Sequence, residues 1–226
     1  MQVNSAAAKR RRTQAERRAQ TKAMVMDAAL DLLITEGYSR FSASGVAARA
    51  GVSRGALEHY YPRKIDLVAA ATQQAMDQAI DHAESLARTA KASVQPVDRF
   101  LQSSEEFFFM PAYMAMTEVL IAARADKDLA CIVYPIIKET RGILDGIWTE
   151  TLVESGYSRD EVRRFVELSH YMLRGLFYVT SWTPYDVDRE EVIRTWRALA
   201  PLVLRPHDNG CTSENARPTP LRSAGR

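Results

Sequence analysis

From Val25 to Val203 apolar residues return every three or four positions, and no stretch alternates apolar with polar as a half-buried strand would. Val25, Ala28, Ala29, Leu32 and Leu33 fall on one helix face. Val162, Phe165, Val166, Ser169, Met172, Leu173, Leu176 and Phe177 form another stripe, and Leu168, Tyr171, Gly175, Tyr178 and Trp182 a second one on the same segment. A helix apolar on two faces is either buried centrally or shared between subunits. This periodicity predicts an all-α chain.

Breakers and caps divide the pattern. Helical character starts near Arg17 and stops at Gly37. Ser42 is placed to cap a short helix bearing Val46, Ala47 and Ala50, and Ser53 to cap the helix Arg54–Tyr60. Pro62 ends that helix and opens one over 64–91. Further helices are predicted over 94–110, 113–125, 129–152, 161–182 and 190–204, with Pro111 as a break, Asp160 as a cap, and Asp188 with Glu191 as a capping-box variant. Residues 1–16 lack apolar periodicity and contain Lys9, Arg10, Arg11 and Arg12, which predicts a mobile basic arm; 206–226 reads as a disordered tail.

The formal charge is only +2 over 226 residues, but its distribution is uneven. Residues 1–64 hold 12 basic and 5 acidic residues, a net of +7. Residues 65–205 hold 15 and 21, a net of −6. A cationic first quarter suits a polyanion, and also suits a plain solvated face. Cys131 and Cys211 match no metal or redox spacing, and no uncharged apolar run approaches the ~18 residues of a membrane helix. Asp27 and Asp31 interrupt the apolar stretch after the basic N-terminus, which argues against a secretory signal. A cytoplasmic protein without membrane attachment is expected.

Ser42 to Tyr60 carries the most chemistry. It reads as helix, glycine turn, helix. Small Ala50 lets two short helices cross closely, Gly51 reverses the backbone, and Val52 and Leu57 fill the shared core. Arg54, Gly55, Ala56 and Tyr60 are left on the outer face. Glycine and alanine there permit close approach to a base pair, and Arg54 has the length to reach guanine O6/N7 or a phosphate.

The run Gly37-Tyr38-x-x-Phe41-Ser42-x-x-x-Val46-Ala47-x-x-Ala50-Gly51-Val52-Ser53-x-Gly55-Ala56-Leu57-x-His59-Tyr60-Tyr61-Pro62-x-Lys64 resembles the DNA-binding domain of TetR-family (tetracycline-repressor-like) transcriptional regulators. The resemblance covers about residues 18–70. It implies a three-helix head over 17–74, with the helix-turn-helix at about 42–61, and a helical ligand-binding and dimerisation body over 75–205. It also implies double-stranded operator DNA as partner, and a homodimer through helices at about 161–183 and 189–204. By position it assigns Ser42 and Ser44 to DNA at the start of the second helix. Ser53, Arg54, Gly55, Ala56 and Tyr60 fall on the recognition helix, and Lys64 on a phosphate. Glu58 departs from the aromatic residue common there, and either accepts from cytosine N4 or turns away. Phe41 replaces a commoner small polar residue.

Other features admit two readings each. Gly51-Val52-Ser53-Arg54-Gly55 matches the G-x-S-x-G nucleophile elbow, but an elbow needs a preceding strand within a parallel sheet, and helix pattern precedes it here. Ser53 as a helix cap and phosphate contact fits better. His59, His82, His170 and His207 have no His or Cys at i+4, so neither a metal site nor a catalytic set is indicated, and no cofactor is called for. The cluster Phe107, Phe108, Phe109, Met110, Tyr113, Met114, Met116 and Trp148 serves either as core or as the wall of an apolar cavity. As cavity residues the sequence nominates Phe107, Phe108, Met114, Trp148 and Phe177, with Glu118, His170 and Arg174 as polar groups. The expectation is a homodimeric repressor released from a palindromic operator by a small lipophilic effector. An activator or protein-controlled regulator of the same fold, and an all-α enzyme, are the alternatives.

Overall fold

Thr13 and Glu16 close a capping box: Glu16 N donates to Thr13 Oγ1 at 3.2 Å, and Thr13 N donates to Glu16 Oε2 at 2.7 Å. The first helix, α1 (Gln14–Arg40), therefore starts three residues before the Arg17 expected from apolar spacing, inside what had read as arm. In this computed structural model residues 13–91 and 93–205 are described, so the run Lys9 to Arg12 and the tail from 206 lie outside them. Residues 13–24 of α1 are exposed, and its core contacts begin at Val25 and Met26.

Nine helices occur among the described residues, with no strand. After α1 come α2 (Ala43–Ala50), α3 (Arg54–Tyr60), α4 (Lys64–Ala90), α5 (Pro96–Phe109), α6 (Pro111–Ala123), α7 (Lys127–Glu154), α8 (Arg159–Trp182) and α9 (Arg189–Val203). Gly37 interrupts α1 where the sequence reading stops it, and a last short turn runs on to Arg40. The glycine adopts φ 73° and ψ 171°, a combination nearly confined to glycine, and kinks the helix one turn before Arg40. Pro62 sits just outside α4, which is opened by Arg63 and a hydrogen-bonded Asp66 instead. Asp160 lies within the first turn of α8, behind Ser158. Pro111 is not a gap but the first residue of α6, a position where its missing N–H has no helical acceptor.

Packing joins the head to the body. Val25, Leu32, Leu33, Val46, Ala47, Leu57 and Leu67 form one buried cluster, and it continues into Ala115, Val119 and Ala123 of α6 and Leu129 and Val133 of α7. The α4 helix crosses from head to body without a break. Its buried Ala71, Ala75, Ala79, Ala83 and Ala87 recur every fourth residue, a small-residue stripe that lets α7 approach closely along its length. A second cluster closes the far end, where Phe100 meets Trp148 edge-on at 5.7 Å and Phe165 stacks on Trp196 at 5.5 Å. Trp196 Nε1 donates to Ser169 Oγ at 2.8 Å. No single described helix is long and apolar enough to cross a membrane; α5 and α6 are apolar together but bend by 59° where they join.

The two stripes of α8 have different fates. Val162, Phe165, Val166, Ser169, Leu173, Leu176 and Phe177 are buried. Leu168, Tyr171, Gly175 and Trp182 are exposed, as are Leu199 and Leu202 of α9.

Candidate nucleic-acid interface and effector cavity

Local hydrogen bonds build the helix-turn-helix. Ser42 Oγ accepts from Gly45 N at 3.1 Å and starts α2. A Cβ on Gly45 would stand 3.1 Å from Leu32 Cδ2, so α2 packs closely on α1 and a side chain there would require Leu32 to shift. Gly51 takes the left-handed conformation (φ 68°, ψ 28°) that reverses the chain, and Val52 N donates back to Ala47 O at 3.0 Å. Ser53 Oγ then accepts from Ala56 N at 3.2 Å and starts α3. Leu57 turns inward and is buried.

The outer face of this unit contains the residues nominated from sequence. Ser42, Ser44, Ser53, Arg54, Gly55, Ala56 and Tyr60 are all exposed. A Cβ on Gly55 would meet nothing within 4 Å, so the fold itself does not require glycine there. Glu58 turns neither away nor outward alone: its Oε1 accepts from Arg54 Nε at 2.7 Å, one turn along α3. The two terminal nitrogens of Arg54 stay available for an acceptor outside the protein.

Lys64 is less free than its sequence position suggests. Its Nζ donates to the Tyr38 carbonyl at 2.7 Å and lies 3.9 Å from the Tyr38 ring centroid. Burial lowers its pKa, opposed by the charge of Asp126. The ammonium thus caps the C-terminal end of α1, where the helix dipole is negative, with two N–H donors remaining.

A basic strip escaped the sequence reading. Arg17, Arg18 and Lys22 on the first turns of α1 border a hollow of about 530 Å³ with Val52, Ala56 and Tyr60. Their i, i+1, i+5 spacing carried the signal, but the surrounding segment has no apolar period to mark it as helix.

A larger cavity of about 540 Å³ lies in the body and is walled by α1, α4, α5, α6, α7 and α8. Of the eight nominated residues, Phe107, Phe108, Trp148, His170 and Arg174 line it. Met114, Glu118 and Phe177 do not. Phe177 is buried against Tyr113 and Phe109, Met114 packs on the same cluster, and the Glu118 carboxylate lies beside Gly37, 3.0 Å from where a Cβ would stand. α6 is apolar all round, and Phe107, Phe108 and Phe109 are consecutive at the end of α5, so periodicity could not say which of these side chains opens on a cavity.

The polar lining comes mostly from residues that sequence did not connect. His170 Nδ1 stands 3.1 Å from Asp145 Oδ1, and His170 Nε2 is 3.4 Å from Ser104 Oγ. Arg141 Nε reaches Asp145 Oδ2 at 3.4 Å. The His170–Asp145 approach is close but badly aligned, since the buried Oδ1 accepts no well-directed hydrogen bond. Burial pushes the Asp145 carboxyl up, but His170 and Arg141 together hold it below the usual carboxylate range. Burial raises the Tyr113 phenol, opposed by Arg174, whose Nε donates to the phenol oxygen at 3.3 Å. Ser104, His170 and Asp145 follow the order of a nucleophilic triad. Ser104 lies within α5, however, where the backbone N–H groups are engaged in the helix and form no oxyanion hole.

The family described as "Bacterial regulatory proteins, tetR family" matches residues 25–71. Over 185 residues the chain is 30% identical to the HTH-type transcriptional regulator CymR of Pseudomonas putida, spanning 82% of this chain and 91% of that protein. Two solved structures share the fold. One is a TetR-family regulator of Mesorhizobium loti (TM-score 0.66, 14% identity, 85% of this chain and 97% of that one). The other is a transcriptional regulator of Pseudomonas aeruginosa (TM-score 0.64, 19% identity, 83% and 90%). With the head built as above and likeness running through head and body alike, the chain belongs to the TetR family of DNA-binding, helix-turn-helix transcriptional regulators.

Proposed function

We propose that the protein is a homodimeric repressor that a small lipophilic ligand releases from a palindromic operator. The single observation carrying this reading is the cavity of about 540 Å³, whose walls include α1 of the head and the crossing helix α4. Its size suits a small molecule, and its lining of aromatic and aliphatic groups with a few polar atoms suits a lipophilic one. A ligand there touches both helices that position α2 and α3. It shifts the spacing of the two heads if its affinity differs between spacings, and ~1–3 kcal/mol of coupling is enough.

Dimerisation uses the exposed apolar residues Leu168, Tyr171 and Trp182 of α8 with Leu199 and Leu202 of α9. Two copies present two α3 helices to successive major grooves, ~34–36 Å apart. Arg54, Gly55, Ala56 and Tyr60 face the bases, Ser42, Ser44, Ser53 and Lys64 the phosphates, and Arg17, Arg18 and Lys22 extend the cationic strip along the backbone. The test is selection of bound fragments from the genome, a footprint on the recovered site, and competition by candidate effectors. A palindromic footprint overlapping a promoter and abolished by an effector supports the reading. A footprint upstream of the promoter that strengthens transcription refutes the repressor assignment.

A further inference from the structure

In the wall of the cavity one charge lacks a counter-charge. Arg174 is half buried and donates from Nε to the Tyr113 hydroxyl at 3.3 Å, with its guanidinium carbon 5.8 Å from the Phe108 ring centroid. Among the described residues no carboxylate lies within ion-pair distance of it. The other charged groups of the lining are differently placed. Arg141 and His170 both face Asp145. At the mouth Glu106 pairs with His82 at 2.6 Å and Asp31 with Arg49 at 3.1 Å, and Asp27 is exposed to solvent. Solvent screens those rim acids, whereas Arg174 sits against aromatic walls where a charge interacts more strongly.

A half-buried guanidinium with only a phenol oxygen for a partner leaves its two terminal nitrogens unassigned. Their planar fork matches the two oxygens of a carboxylate. His170, one turn earlier on the same face of α8, and Ser104 opposite it supply a second polar contact beside the fork. Phe107, Phe108, Met116 and Trp148 supply the apolar surface around them.

We infer that the cavity takes a lipophilic carboxylate, its apolar body against the aromatic wall and its carboxylate on the terminal nitrogens of Arg174. The inference rests on the cavity being the effector site and adds the chemical class of the effector.

The test is calorimetric titration of the full chain with three probes of one shape: naphthoate, naphthamide and naphthylmethylammonium. Naphthoate should bind at least about tenfold more tightly than naphthamide, as expected for a charge-assisted bidentate contact. In Arg174→Gln that preference should fall to about one while naphthamide binding persists, which also shows that the variant is folded. Arg174→Lys should restore part of the preference. Equal binding of the three probes, preference for the amide or the ammonium, no binding by any, or an undiminished naphthoate preference in Arg174→Gln overturns the inference. If naphthoate binds selectively but leaves operator affinity unchanged, the release reading fails while the carboxylate site stands.

Discussion

Asp31 and Arg49 form an ion pair of 3.1 Å that ties the rim of the cavity to the first helix of the helix-turn-helix. Arg49 also donates to Thr35 Oγ1 at 3.1 Å, so two residues of α1 hold the last turn of α2. The pair is partly exposed and worth about 0.2–1 kcal/mol. Asp31→Asn should lower operator affinity by up to about fivefold and weaken the response to effector more than the binding of effector. Gel shifts with and without effector, set beside direct titration, measure both quantities. An unchanged effector response removes Asp31 from the coupling.

Two glycines should respond in opposite ways. Gly37→Ala forces a side chain into a glycine-only conformation with its Cβ 3.0 Å from a Glu118 oxygen, and should cost about 1–3 kcal/mol of stability in denaturant unfolding. Gly55→Ala meets open space inside a helix and should leave stability equal or raise it by up to about 1 kcal/mol. Operator affinity should nonetheless fall for Gly55→Ala, because the added methyl stands where a base pair must come close. Full operator affinity in a stable Gly55→Ala protein rules out that approach.

Arg54 and Lys64 separate reading from gripping. Arg54→Ala should cost about 1–3 kcal/mol on operator and little on random DNA. Lys64→Ala should weaken both alike and reduce the salt slope by about one. It should also lower the thermal midpoint, since the Tyr38 carbonyl loses its donor. Filter binding at several salt concentrations resolves the two patterns, and equal losses on both DNAs for Arg54→Ala contradict its role as a reader. Glu58→Gln should loosen the Arg54 side chain and erode the same discrimination, to a smaller extent.

The carboxyl of Asp145 predicts a pH dependence. Its folded-state pKa lies below the ordinary 3.8, so the unfolded chain takes up the proton first as acid is added. The stability it contributes is whole above about pH 5, begins to fall as pH drops through the ordinary value, and is lost below the folded-state pKa. Thermal midpoints of the natural protein and Asp145→Asn should therefore draw together as pH falls from about 5 through the ordinary 3.8 and below. A constant gap across that range would show that Asp145 contributes nothing through ionisation.

The head was legible because its signals are local. Ser42, Gly51 and Ser53 each act on residues within three or four positions, and Val46, Ala47 and Leu57 face inward at the spacing that two short helices impose. The start of α1 was hidden although its capping box is written in Thr13 and Glu16, because the residues that follow are polar and show no buried face until Val25. The cavity was legible only as a composition. Ser104 and His170 lie 66 positions apart, and Asp145 comes from a third helix, so no spacing links them. Phe108 and Phe177 look alike in sequence, yet only the first lines the cavity. Lys64 opens α4 at the position its sequence implies, but its bond to Tyr38 depends on how α1 kinks at Gly37.

The most direct measurement is a hydroxyl-radical footprint of the purified protein on a genome-selected fragment, with its mass in solution determined alongside. The account predicts a dimer that protects two patches on one face of the duplex, about one helical turn apart, and loses them when Arg54 is replaced by Ala. A monomer that protects no site better than scrambled competitor would contradict it.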